Sequence, residues 1–132
     1  MKVSARRRKG YAHALTVREH ALVADEPKDL GGADTGPSPQ ELLALSLASC
    51  TAITVEMYAD RKGWDVGALE VEVDYEPDTK GKCSRFDVMM KVPAELTEEQ
   101  VERIRTIATK CPVHRTLAGD VEIDDRVTRV GE

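Results

Sequence analysis

Apolar and polar positions are unevenly spread along the chain. The most uneven stretch runs from Leu42 to Val55, where no residue is charged although 33% of the chain is. Apolar residues occupy every side of a helix drawn through this run. Such a helix cannot lie on a protein surface and must be wrapped by the rest of the chain or by a partner. The uncharged run is also too short, and too rich in Ser and Thr, for a membrane span of about 20 apolar residues. Cys50 lies within it, so its thiol is delivered to an interior.

The helix has clear signals at both ends. Ser38 stands as N-cap, Pro39 at the first helical position and Glu41 where a capping box needs its carboxylate. Gly63 supplies a C-terminal stop after Lys62. Before the helix, Pro27 to Pro39 reads as a loop, punctuated by Gly31-Gly32 and Gly36. Earlier still, Tyr11, His13, Leu15 and Val17 alternate with other residues, and Leu22-Val23 resume the apolar pattern after Arg18-Glu19-His20. This spacing predicts a hairpin turning at Arg18 to His20. A strand from Met1 to Arg8 precedes it and ends at Lys9-Gly10.

After the helix, Leu69, Val71, Val73 and Tyr75 alternate with Glu70, Glu72, Asp74 and Glu76, the mark of a strand with one wet face. Pro77 to Gly81 turn the chain, and Phe86, Val88, Met90 and Val92 repeat the alternation. Cys83 falls outside that run. Thr97 and Gln100 form a second capping box. Val101, Ile104, Ala108 and Cys111 follow at intervals of three and four, which puts Cys111 on the buried face of the second helix. Pro112 interrupts the helix, a short turn follows through Val113 to Leu117, and Val121, Ile123 and Val127 predict a final strand. The order of elements is that of an α+β protein, read as a single domain over residues 1–132.

Composition narrows the function. The net charge of −5 argues against a general nucleic-acid binder, which needs clustered Lys and Arg. The run Arg6-Arg7-Arg8-Lys9 reads as a solvated edge. Met1-Lys2-Val3-Ser4-Ala5-Arg6 has no apolar leader core, so a cytoplasmic location and no membrane are expected. Three widely spaced cysteines, Cys50, Cys83 and Cys111, do not make a disulfide framework. They admit three readings. As buried cysteines they are small apolar core residues. As metal ligands they lack support, because there is no Cys-x-x-Cys and His13, His20 and His114 have no ligand spacing. As a redox pair, an attacking thiolate becomes a sulfenic acid that a second cysteine resolves as a disulfide. That chemistry needs a cation or helix N-terminus beside the thiolate, and Arg18, Arg115 and Arg6 to Arg8 are the available cations.

Two motifs bear a family resemblance. Gly31-Gly32, then Gly36-Pro37-Ser38-Pro39-Gln40-Glu41-Leu42-Leu43 and Ala48-Ser49-Cys50, resemble the loop and central helix of the OsmC/Ohr superfamily (osmotically inducible protein C and organic hydroperoxide resistance protein). About sixty residues on, Lys110-Cys111-Pro112-Val113-His114-Arg115-Thr116-Leu117 resembles its second cysteine motif. The order of elements agrees from about Tyr11 to Val127. The resemblance implies an intertwined homodimer in which antiparallel sheets wrap two long central helices. It also implies thiol-dependent reduction of organic hydroperoxides, with Cys50 attacking, Cys111 resolving, and a lipoyl-type dithiol or small thiol as reductant. No metal or bound cofactor is implied.

This chain departs from the peroxidase pattern in two places. Those members open the central helix with a Pro-Glu pair, whose glutamate orients a catalytic arginine. Here Gln40 follows Pro39 and the glutamate comes one position later, at Glu41. One residue turns a helical side chain by about 100°, so Glu41 is expected in the capping box and Gln40 facing the site. Osmotically induced members carry an arginine in the preceding loop. From Leu30 to Gln40 there is none, and Arg18 is the substitute. Both features resemble the broad OsmC-like branch. The alternative to a peroxidase is a non-catalytic protein of the same fold that holds an apolar ligand or a protein thiol.

Overall fold

The structure, a computed structural model, describes residues 1–131. The chain forms two compact units: residues 1–48 with 72–89, and residues 49–71 with the chain from Met90 onward.

The first unit contains an antiparallel sheet of β1 (Val3–Lys9), β2 (Ala12–Val17) and β3 (His20–Ala24), in the order β1-β2-β3. Val17 pairs with His20 across the β2–β3 turn, where Arg18 takes a φ of 51°. The expected hairpin corner is therefore present. The basic run lies on edge strand β1, fully exposed, and its charges oppose edge-to-edge pairing with other chains. A register shift between Arg7 and Lys9 marks an irregularity in the same strand.

The loop after β3 is held by one carboxylate. Asp25, only 2% exposed, accepts from the N–H groups of Glu26, Ala33 and Thr35 and from the Thr35 hydroxyl at 2.7 Å. Its own N–H donates to the Pro37 carbonyl. Gly32 and Gly36 are required here, because a Cβ would collide with the carbonyl oxygens of Glu26 and Val23 respectively.

The loop delivers the chain into α1 (Pro39–Lys62). The Ser38 N–H donates to the Glu41 carboxylate at 2.8 Å and the Glu41 N–H to Ser38 Oγ at 3.2 Å, the expected capping box. At the other end Gly63 adopts φ +71°, with Gly63 N–H donating to Asp60 and Trp64 N–H to Ala59. This is a Schellman stop, and the Tyr58–Trp64 edge-to-face ring pair packs beside it.

α1 buries a stripe spaced by four, Leu47, Thr51, Val55 and Ala59, together with Tyr58. It is not wrapped all round: Leu45, Ile53 and Met57 are 55%, 50% and 58% exposed. The single chain thus falls short of the covering that the apolar pattern calls for. By length and composition this 24-residue helix also reaches what a membrane span requires, a test that core helices of globular proteins pass as well. The 14 uncharged residues were the shorter part of it.

The second unit has the larger apolar core. Val55, Ala59, Val66, Ile104 and Ala108 are buried together, with Trp64, Leu69, Met90, Val92 and Leu96 packed against them. Ile104 and Ala108 come from α2 (Glu98–Ala108), opened by the expected Thr97–Gln100 capping box. α3 (Pro112–Ala118) follows.

β4 (Glu70–Glu76) and β5 (Arg85–Lys91) form a two-stranded sheet that contributes residues to both units. Half-buried and exposed positions alternate strictly: Val71, Val73, Tyr75, Phe86, Val88 and Met90 are half-buried, and the charged residues and Met89 are exposed. Tyr75 and Phe86 stack with ring centroids 4.4 Å apart. The architecture is α+β, as expected.

Two expectations need correction. Residues 120–131 form no strand, and Val121, Ile123 and Val127 are 59%, 78% and 98% exposed. A strand exists only where its backbone finds a ladder partner, and alternation alone does not provide one. Cys111 is not part of α2, which ends at Ala108. Its extended backbone, at φ −63° and ψ 140°, makes it the N-cap of α3.

Candidate functional site

Two of the five site residues expected from sequence meet in the second unit. Cys50 is carried by α1, half-buried, one position before the buried Thr51. Cys111 is 0% exposed. Pro112 fixes the backbone for the first turn of α3, and Cys111 caps that turn: the His114 N–H donates to its Sγ at 3.2 Å. Cys50 lies near enough to bear on the ionisation of the same sulfur. Thr51 Oγ1 lies 3.9 Å from it, a sulfur-length hydrogen bond.

These contacts act on Cys111 in opposite directions. Burial pushes its thiol up, because a thiolate loses solvation in the interior. The His114 N–H and Thr51 hydroxyl pull it down by donating to the charged form, while the neighbouring Cys50 side chain pushes it up further. The net direction is upward. The pair is therefore asymmetric, with one thiol partly accessible and the other sealed in and held as a thiol. Both are free cysteines.

The other three expected residues belong to the first unit. Glu41 is engaged by the Ser38 N–H in the capping box, as anticipated from the one-residue shift. Gln40 is exposed on the first turn of α1. Arg18 is exposed at the hairpin corner, with Nη1 3.9 Å from the Glu19 carboxylate. Cys83 is exposed between Lys82 and β5.

Sequence reasoning missed Thr51. The available signal was a hydroxyl placed in an otherwise apolar four-spaced stripe next to a cysteine. Among the described residues no group of three or more His, Cys, Asp or Glu side chains is arranged to hold a metal ion. A cavity of about 740 Å³ in the second unit, flanked by Tyr58, Trp64 and Arg103, is lined by neither thiol.

The chain is thus an α+β protein whose capped central helix carries one cysteine and whose third helix is capped by another. The chain belongs to the OsmC-like protein family, which matches residues 31–124, and thereby to the OsmC/Ohr superfamily. The match takes in both cysteine motifs. Among solved structures, a protein of Psychrobacter arcticus whose name refers to osmotic stress and detoxification superposes with a TM-score of 0.78 at 20% identity, covering 88% of this chain and 87% of that one. The organic hydroperoxide resistance protein OhrB of Bacillus subtilis superposes with a TM-score of 0.59 at 23% identity, covering 92% of each chain. An uncharacterised protein of Haloferax volcanii is 27% identical over 101 residues, 75% of each chain.

Proposed function

We propose that this protein is a thiol-dependent peroxidase of organic hydroperoxides, active in oxidative or osmotic stress defence, with Cys50 attacking and Cys111 resolving. The observation that carries the reading is the nearness of Cys50 to Cys111 together with their unequal exposure. The accessible sulfur suits the attack on a bulky peroxide. The buried one suits a partner that must stay reduced until its neighbour is oxidised. The name of the Bacillus subtilis protein, hydroperoxide resistance, supports the substrate class.

In this reading the Cys50 thiolate attacks a peroxide oxygen and the O–O bond breaks. The sulfur is oxidised to a sulfenic acid, and the alkoxide takes a proton and leaves as the alcohol. Cys111 then attacks the Cys50 sulfur, forming the S–S bond and breaking S–O. Hydroxide departs with the Cys111 proton as water. A dithiol of the lipoyl type, or a small thiol, restores both cysteines by exchange and leaves as its own disulfide. Arg18 is assigned as the cation for the thiolate and Gln40 as a neutral polar companion. Glu41 keeps its capping role.

We assign the active form to a homodimer in the cytoplasm. Leu45, Ile53 and Met57, exposed on an uncharged stretch of helix, support a second copy as their cover. Gln40, standing where a peroxidase has glutamate, favours one rival: a non-catalytic protein binding an apolar ligand or a protein thiol at the same cysteines.

Consumption of cumene hydroperoxide in the presence of a dithiol separates the two. The peroxidase reading expects turnover that Cys50→Ser lowers roughly 100-fold or more. It also expects Cys111→Ser to stop after one turnover, with the sulfenic acid on Cys50 trapped by dimedone. Full turnover by Cys50→Ser, or no turnover by the unaltered protein, rejects it.

A further inference from the structure

Thr51 is the polar member of the buried stripe Leu47, Thr51, Val55 and Ala59, and only 2% of its surface is exposed. Valine has nearly the same outline and carries no hydroxyl that needs a partner, so packing alone does not ask for threonine. The hydroxyl meets Cys111 Sγ at 3.9 Å. The His114 N–H reaches the same sulfur from the N-terminal turn of α3 at 3.2 Å. Donors from two helices, α1 and α3, thus converge on a single sulfur that is 0% exposed.

Either atom of the Thr51–Cys111 contact can donate while Cys111 is a thiol. Once that sulfur loses its proton, only the hydroxyl can. The contact therefore strengthens as the sulfur becomes a nucleophile, since hydrogen bonds to charged groups are the stronger ones. We infer that Thr51 is a positioning residue for disulfide formation, its hydroxyl stabilising the ionised Cys111 sulfur and holding it against Cys50. The inference rests on the Cys50–Cys111 reading above. Thr51 acts through Cys111 alone, so the attack on peroxide by Cys50 does not depend on it.

Exchange with dithionitrobenzoate tests this without any peroxide. Exposed Cys83 is first replaced by serine, and one equivalent of reagent is added. The Cys50 thiolate takes up one half of the reagent as a mixed disulfide and releases one thionitrobenzoate. Cys111 then attacks the Cys50 sulfur; the internal S–S bond forms, the mixed disulfide breaks, and a second thionitrobenzoate leaves. Two absorbance phases result.

Thr51→Val is expected to leave the first phase within about twofold and slow the second about tenfold, the cost of losing a donor to a charged group. The pH at which the second phase reaches half its limiting rate should move upward, and Thr51→Ser should restore both. Release of only one thionitrobenzoate by the protein with Thr51 intact overturns the cysteine pairing, and the inference with it. Two releases with an unchanged second phase in Thr51→Val overturn the inference and leave the pairing standing. So does an equal slowing of both phases, or a serine variant that fails to restore.

Discussion

The two compact units bury different things. In the second, an apolar cluster of Val55, Ala59, Val66, Ile104 and Ala108 is closed by half-buried Trp64, Leu69, Met90, Val92 and Leu96. In the first, the buried residues are Ala24 and Leu47 together with the polar Asp25 and Ser38. Its order comes from backbone donors gathered on the Asp25 carboxylate, while Val3, Tyr11, Leu22 and Leu45 stay exposed. A packed core tolerates little displacement, whereas a hydrogen-bonded loop can be re-formed. Cys50 and Cys111 both belong to the unit with the packed core.

The largest expected effect that would break this contrast is in that core. Ile104→Ala should cost about 2–5 kcal/mol in urea unfolding, from lost burial and the cavity left behind. Leu22→Ala, at a site 54% exposed, should cost less than about 1 kcal/mol. Equal costs would show that the units do not differ as described.

A second, smaller effect belongs to the first unit and depends on pH. The Thr35 hydroxyl, followed by the Thr35, Glu26 and Ala33 N–H groups, holds the Asp25 carboxyl below its ordinary value despite burial. A carboxylate depressed in the folded state stabilises fully above its unfolded pKa of about 3.9. That stability is lost as pH falls through the folded value. Asp25→Asn should therefore lower the melting temperature at pH 7 and flatten the loss of stability on acidification. An acid limb as steep as that of the unaltered protein would remove Asp25 as its source.

The smallest effects compare the two helix starts. Ser38→Ala and Thr97→Ala each remove a capping box, at about 1 kcal/mol apiece. Ser38 also borders the Asp25 loop, whose Pro37 carbonyl accepts from Asp25. Its replacement should accordingly raise amide exchange in residues 33–36, with no counterpart after Thr97→Ala. Matching exchange patterns would mean that the loop is ordered independently of the helix cap.

Local signals were legible wherever their physics is local. Both capping boxes, the Gly63 stop, the Arg18 corner and the β4–β5 alternation lie where residue type and spacing predict them, because each is settled within a few residues. Cys111 shows where such reasoning ends. Its spacing from Ala108 continues a helical stripe, but Pro112 permits a new helix to begin, and the cysteine becomes a cap instead of a member. The tail shows another limit: Val121 and Ile123 alternate correctly, yet the chain alone supplies no strand beside them.

The uncharged central helix, its ends, and the two cysteine motifs that identify the family follow from residue order alone, since these depend on neighbours in the chain. Folding in three dimensions settled that Cys111 is sealed while Cys50 is partly accessible, and that Thr51 and the His114 N–H share the buried sulfur. Those facts depend on packing between α1 and the start of α3, elements some sixty residues apart, and no periodicity encodes a contact across that separation.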